Sequence, residues 1–232
     1  MTEREIELSL IFPCYNEQDS VDQVIPLALK VQEQSSEPIE ILVVNDGSTD
    51  QSLKRLKAYE SQVQIISHET NKGYGAALKT GLFYSKGKHI AFMDFDGTCD
   101  PLQSTVLLHY LKARGSDMVL GNRMHDESQM PTLRNIGNRL YTGVLKFLQG
   151  NQTPKDICSG FRVIQRDTAE ALYENLPDDL SFTPAMTAKA LRMGFSIEEH
   201  PIHYKERIGH SKISLLKDGP KFFFSILKGY MG

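Results

Sequence analysis

Short apolar runs alternate with polar turns and amphipathic stretches through the first half of the chain. Residues 7–12, 39–44, 63–67, 90–93 and 117–120 read as strands. The run at 39–44 is almost unbroken, the pattern of a strand buried on both faces. Ser20-x-x-Gln23 and Ser48-x-x-Gln51 resemble capping boxes, opening helices that reach about residues 34 and 60. Pro26 kinks the first helix or delays its start. Asn71-Lys72-Gly73-Tyr74-Gly75 opens a third helix that Lys86-Gly87 closes, and Asp100-Pro101 starts a fourth.

The second half is less regular. Helices are expected at 130–149, 182–193 and 213–230, with a turn into a short strand at 156–162 and a strand at 196–204. Between the last strand and the last helix lies a polar loop, 207–212. No internal repeat, low-complexity tract or linker interrupts the pattern. Strand–helix units recurring every ~20–30 residues imply an α/β fold with a doubly wound, mainly parallel sheet, Rossmann-like, covered by helices on both faces.

Composition narrows the function classes. With 232 residues, 40% hydrophobic, the chain can bury a sizeable core as one large domain. A net charge of -3 argues against nucleic-acid binding through a broad basic surface. Cys14, Cys99 and Cys158 show no metal-ligand spacing and suit reduced thiols in a cytoplasmic protein. The start, Met1-Thr2-Glu3-Arg4-Glu5, is polar and unlike a secretory leader. No run reaches the ~18 apolar residues of a membrane span, so a soluble or peripheral protein is expected.

The candidate chemistry centres on Asp94-Phe95-Asp96-Gly97-Thr98, which ends the fourth strand. Acids one residue apart on a strand point the same way. Unpaired buried charge is costly, so the pair should emerge at the strand's carboxyl end, where open α/β sheets hold ligands. Two convergent carboxylates suit a hard cation, Mg2+ or Mn2+. The same string could be a solvated turn. It also resembles the first motif of haloacid-dehalogenase-type phosphatases, with Asp94 as nucleophile and Asp96 as acid/base. That family places its acids on the first core strand, whereas three strand–helix units precede them here. Asp178-Asp179 also follows Leu176-Pro177 rather than an apolar strand, so the phosphatase stays a remote alternative.

Further motifs, in order, carry a fuller resemblance. They are Phe12-Pro13-x-Tyr15-Asn16-Glu17, Val44-Asn45-Asp46-Gly47-Ser48-Thr49-Asp50, Asn71-Lys72-Gly73, the Asp94/Asp96 pair, Gly121-Asn122-Arg123, Ser159-Gly160-Phe161-Arg162 and Arg207-x-Gly209-x-Ser211-Lys212. Together they resemble the family 2 glycosyltransferases of GT-A fold over nearly the whole length. The last three resemble the polyprenyl-phosphate and dolichol-phosphate sugar transferase branch.

The resemblance implies that Pro13, Tyr15, Glu17 and Asp46 hold the base and ribose of a nucleotide-diphosphate sugar, UDP- or GDP-linked. Asp46 has a plainer reading as a helix cap, and Tyr15 as a core aromatic. Lys72 and Gly73 would meet the donor at a helix start, where anions are favoured. Asp96 would ligate the metal, and Asp94 would serve metal or ribose. Thr98 stands where many relatives carry Gln or Ser, which leaves the ligand number open. Arg123, Ser159, Arg162, Arg207 and Lys212 would meet the diphosphate and the acceptor phosphate, arginine as a bidentate partner and lysine as a point charge. Arg123 and Arg162 join the acid pair as catalytic candidates. Arg134 and Arg139 rest on helical spacing alone and fit a solvated face equally well.

Asp156 is a general base in a hydroxyl-acceptor enzyme, or an orienting residue if the acceptor is a phosphate. Cys158 reads as packing, and His68, His203 and His210 as non-catalytic. The expected activity is inverting, metal-dependent transfer of glucose or mannose to a polyprenyl-phosphate lipid. The alternatives are a saccharide or other non-lipid acceptor, or nucleotide-sugar binding without catalysis. Residues 1–122 would form the donor half of a GT-A domain and 123–212 its acceptor half. In 213–232, Phe222, Phe223, Phe224, Ile226 and Leu227 lie among Lys217, Lys221 and Lys228. That segment resembles an amphipathic helix at the inner membrane face, or a helix packed on the core.

Overall fold

The computed structural model describes residues 5–125, 128–150, 152–209 and 215–231. Seven strands, β1 (Leu8–Cys14), β2 (Ile39–Asn45), β3 (Gln64–Ser67), β4 (His89–Phe92), β5 (Met118–Asn122), β6 (Arg162–Gln165) and β7 (Ile197–Pro201), form one sheet. Their order is β3-β2-β1-β4-β6-β5-β7. Every neighbouring pair is parallel except those of β6, which runs antiparallel to β4 and β5. The expected α/β, mainly parallel architecture is therefore what the chain adopts.

Eight helices are described: α1 (Val21–Gln34), α2 (Ser52–Leu56), α3 (Tyr74–Tyr84), α4 (Gln103–Arg114), α5 (Thr132–Gln149), α6 (Arg166–Tyr173), α7 (Phe182–Arg192) and α8 (Leu215–Met231). A 3₁₀ turn, Lys57–Tyr59, extends α2. The central strands are apolar on both faces. On β1, Leu8, Leu10 and Phe12 point into one layer with Val24, Ile25, Leu107 and Leu111. Ile11, between them, points into the other with Leu78, Leu82, Phe92 and Phe182. Each large side chain buried this way contributes roughly 1.5–3 kcal/mol, so a one-residue slip of β1 would be strongly resisted. A third cluster joins α5, α7 and α8 through Tyr141, Leu145, Ala188, Leu191 and Ile226.

Several local expectations change. The Ser20 hydroxyl makes no capping bond to α1, and Pro26 lies within a helix that already begins at Val21. The Ser48 hydroxyl instead accepts from the Asn16 backbone N–H, while Asp50 Oδ1 accepts from Ser52 N–H at the start of α2. β1 continues through Pro13 to Cys14, paired with β2. Its pairing with β4 has ended by then, at Ile11 opposite Phe92, so a residue without an N–H is tolerated there. α6 was not anticipated. The last helix begins at Leu215, and Ile213 lies outside the described residues.

The strand order reverses between β1 and β4. Chain connections leave these neighbours toward opposite edges, which opens a crevice beyond their carboxyl ends. The Pro13–Glu17 segment leaves β1 on one side of it, and the Asp94/Asp96 segment leaves β4 on the other.

Candidate active site

A cleft of about 370 Å³ occupies this crevice. Among the expected residues, Pro13, Tyr15, Glu17, Asp46, Gly73, Asp94, Asp96, Arg123 and Arg207 line it. Ser159, Arg162 and Lys72 do not. Lys212 lies outside the described residues.

The acid pair follows β4 in a tight turn that Gly97 makes possible at φ +74°, where a Cβ would strike Ile208. Asp94 Oδ1 accepts from the Tyr74 hydroxyl at 2.8 Å. Asp96 Oδ1 accepts from the Thr98 hydroxyl at 2.6 Å and the Thr98 backbone N–H at 3.1 Å. Asp96 Oδ2 pairs with Arg207 Nη1 at 2.7 Å, and Arg207 Nη2 donates to Glu17 Oε1. Burial, then repulsion from Asp96, raises the Asp94 carboxyl above the usual aspartate range, against the opposing Tyr74 hydrogen bond.

Two neighbouring acids, one already drawing in an arginine, make a donor set suited to a divalent cation. Among the described residues no group of three His, Cys, Asp or Glu gathers around one point. The protein would then supply two carboxylates and leave the other positions to ligand oxygens and water, as Mg2+ tolerates well.

Gly160 packs against this pair. A Cβ on it would lie 2.6 Å from Asp94 Oδ1 and 2.7 Å from Oδ2. The Ser159-Gly160-Phe161-Arg162 motif thus has a steric reason for its glycine. Its neighbours face inward. The Ser159 hydroxyl donates to the Gly121 carbonyl at 2.7 Å. Arg162 is wholly buried, donating to the Ser159 and Thr183 carbonyls and the Thr187 hydroxyl. Burial above all lowers its guanidinium to about 10. These two side chains flank the Gly160 that packs on Asp94 and do not line the cleft, contrary to a direct phosphate contact.

Asp46 organises the opposite wall. Its Oδ1 accepts from the Lys72 N–H at 2.8 Å and meets His68 Nδ1 at 2.6 Å, and its Oδ2 accepts from the Gly73 N–H at 2.9 Å. Of about four lone-pair sites on a carboxylate, one remains for a ligand. The anion at the entry to α3 is therefore this aspartate, and Asp46 does not cap α2. His68 gains a purpose, as a prop for Asp46 backed by Thr80 at 2.9 Å.

On the remaining side, Arg123 forms a bidentate pair with Asp156, Nε to Oδ2 and Nη2 to Oδ1, both at 2.8 Å. Asp156 Oδ2 also accepts from the Arg123 backbone N–H, and Oδ1 from Asn138 Nδ2, each at 2.9 Å. Asp156 is fully buried with its acceptor capacity filled. Burial opposes the Arg123 charge, but the attraction and hydrogen bonds of Asp156 outweigh it and hold the guanidinium well above its usual range. The Arg123 guanidinium also stacks over Tyr204, 5.4 Å from the ring centre.

The sequence pattern of the family described as glycosyl transferase family 2 matches residues 9–173, over two thirds of the chain. The chain belongs to glycosyl transferase family 2. The family and enzyme class expected from the motifs are borne out, and the phosphatase alternative falls. The dolichyl-phosphate beta-glucosyltransferase of Dictyostelium discoideum is 27% identical over 97% of this chain and 76% of its own length. The Saccharomyces cerevisiae enzyme of the same name is 28% identical over 94% of this chain and 72% of its own. The glycosyltransferase AglD of Haloferax volcanii is 24% identical over 92% of this chain, which spans only 35% of that protein. In fold, the chain is similar to glucosyl-3-phosphoglycerate synthase from Mycobacterium tuberculosis, crystallised with Mn2+, UDP and glucosyl-3-phosphoglycerate. The TM-score is 0.78 at 18% identity, covering 97% of this chain and 80% of that one.

The cleft of this family 2 chain also contains residues that sequence reasoning passed over. Tyr74, Asn138 and Asp179 line it. Arg134, which helical spacing offered as a candidate beside a solvated face, lines it too, and its Nη1 donates to the Tyr204 hydroxyl at 3.1 Å. Tyr74 stood beside a marked glycine motif, and Asn138 and Arg134 share a helical face. Nothing in the spacing of Tyr74, Asn138 or Asp179 marks them as ligand-facing.

Proposed function

We propose that this chain is an inverting, metal-dependent transferase that moves a hexose, glucose or mannose, from a UDP- or GDP-linked sugar to a polyprenyl-phosphate lipid. The condition of Asp156 carries the choice of acceptor. A sugar-hydroxyl acceptor needs a general base, and the acid expected near the acceptor is buried and saturated by Arg123 and Asn138. A phosphate monoester is already anionic and needs none. The relatives named dolichyl-phosphate beta-glucosyltransferase support a lipid phosphate and favour glucose.

In this reading residues 1–122 hold the donor, with Pro13, Tyr15, Glu17, Asp46, Lys72 and Gly73 around the nucleotide. Residues 123–212 receive the acceptor, with Arg123, Arg207 and Lys212 toward its phosphate. Ser159 and Arg162 act from behind, by flanking the Gly160 that packs on Asp94. Asp94 and Asp96 would hold Mg2+ or Mn2+, which would offset charge on the departing diphosphate. An acceptor phosphate oxygen attacks the anomeric carbon on the face opposite the diphosphate; the new C–O bond forms as the old one breaks, and configuration inverts. The protein contributes mainly positioning and fixed charge. A peripheral position at the cytoplasmic face of a membrane follows from a lipid acceptor, with 213–232 near the lipid.

A saccharide acceptor remains the second reading, on one observation. Asp179 also lines the cleft, with its Oδ1 bound by Ser181, and could serve as a base. Purified protein with detergent-dispersed polyprenyl phosphate, Mn2+ and a panel of nucleotide sugars tests the proposal. Lipid-linked hexose from one donor is expected. Transfer to free sugars, abolished in Asp179→Asn, would overturn it.

A further inference from the structure

We propose that α5 docks the protein onto an anionic lipid bilayer through the face it turns away from the cleft. Its inner face, with Arg134, Gly137, Asn138 and Tyr141, lines the cleft, and Leu145 is fully buried. Its outer face is apolar and open. Leu133, Ile136, Leu140 and Phe147 are 61%, 58%, 65% and 91% exposed. They recur at intervals of three, four and seven, so they form one stripe along the helix rather than scattered surface residues.

Charge identifies the occupant. Away from the cleft α5 carries exposed Arg139 and Lys146, and the helix has no acidic residue, in a chain whose net charge is -3. α8 lies alongside it, with the Tyr141 hydroxyl donating to the Gly219 carbonyl and the Tyr230 hydroxyl to the Leu148 carbonyl. It adds exposed Lys221 and Lys228, and its Phe224 is 67% exposed. Basic side chains flanking an apolar, aromatic-tipped stripe fit an anionic bilayer, where the rings enter the headgroup boundary and the cations meet lipid phosphate. A second copy of the chain fits poorly. A two-fold contact across this face would bring Arg139 and Lys146 against basic residues of the same surface. The docking face and the cleft are thus two sides of one helix. The surface would bind lipid headgroups whatever the acceptor is.

Flotation of the full chain with phosphatidylcholine vesicles, with and without phosphatidylglycerol, tests this. The protein is expected to float with the anionic vesicles and to be released by salt. Leu140→Ser with Phe147→Ser should lower partitioning at least about tenfold through lost apolar burial. Both side chains are exposed, so thermal unfolding should not change. Arg139→Glu with Lys146→Glu should remove the preference for phosphatidylglycerol. Transfer to detergent-dispersed polyprenyl phosphate should survive the serine changes, which separates failure of docking from failure of the acceptor assignment. Wild-type protein that stays unbound, or serine variants that float like it, would overturn the proposal. So would a wild-type dimer that the serine changes dissociate, which would make the face a contact between copies.

Discussion

Asp156→Asn separates a structural aspartate from a catalytic one. The four donors that converge on Asp156 are the Arg123 backbone N–H, Arg123 Nε, Arg123 Nη2 and Asn138 Nδ2, at 2.8–2.9 Å. An asparagine keeps the shape, but its amide nitrogen accepts nothing. Whichever way the amide turns, two donors face another donor. Arg123, 8% exposed, then keeps its charge with no compensating anion. Breaking a buried ion pair on one side costs roughly 3–5 kcal/mol. For a domain of this size that lowers the melting temperature by about 6–20 °C.

Thermal unfolding followed by circular dichroism measures the shift. Single-turnover kinetics, at a temperature where the variant remains folded, measure the chemistry. Transfer should fall by no more than about tenfold, with the shape of the pH–rate profile retained, because no proton passes through Asp156. Arg123→Met with Asp156→Leu should regain much of the lost stability, since an apolar pair of similar volume replaces the ion pair. Unchanged melting in Asp156→Asn, together with loss of transfer and of the acid-side limb of the profile, would refute the reasoning and make Asp156 the base.

Three further outcomes follow from the geometry. Gly160→Ala would drive a Cβ into the Asp94 carboxylate and should cut transfer by about 100-fold while leaving the melting temperature within a few degrees; full activity would remove the steric argument. Arg207→Ala removes the cation that Asp96 now holds, so Mn2+ affinity measured by calorimetry should rise several-fold while transfer falls; weaker Mn2+ binding would contradict the competition. Asp94 has a folded pKa above its unfolded value, so ionising it costs stability, and that cost develops as pH rises from the unfolded value through the folded one. Without metal, Asp94→Asn should therefore match the wild type in acid and become progressively more stable toward neutral pH; a stability difference constant with pH would exclude this.

Much of the sheet was legible because its strands are apolar on both faces and separated by helices of ordinary length. The alternation of Leu8, Leu10 and Phe12 with Ile11 serves two helical layers at once. Neither the reversal at β6 nor α6 was legible, since 162–165 is too short to carry direction and α6 follows it without a turn signal. The Ser48 capping box failed because its hydroxyl was taken up by the loop after β1, a contact across more than thirty residues. The cleft's acids and Arg123 could be named from motifs. The motifs could not say that Ser159 and Arg162 face the interior, because a buried arginine and a phosphate-binding one look alike in sequence. The C-terminal aromatic cluster divides: Ile226 is fully buried against α5 and α7, while Phe224 faces outward.

The transfer reaction itself tests the account most directly. Polyprenyl phosphate and the matching polyprenol should be compared as acceptors, with Mn2+ and with a chelator in its place. Glycosylated lipid is expected from the phosphate alone, only with the metal, and not from Asp96→Ala. Equal product from the alcohol, or product that persists in chelator, would contradict an anionic acceptor meeting a sugar beside a cation-binding acid pair.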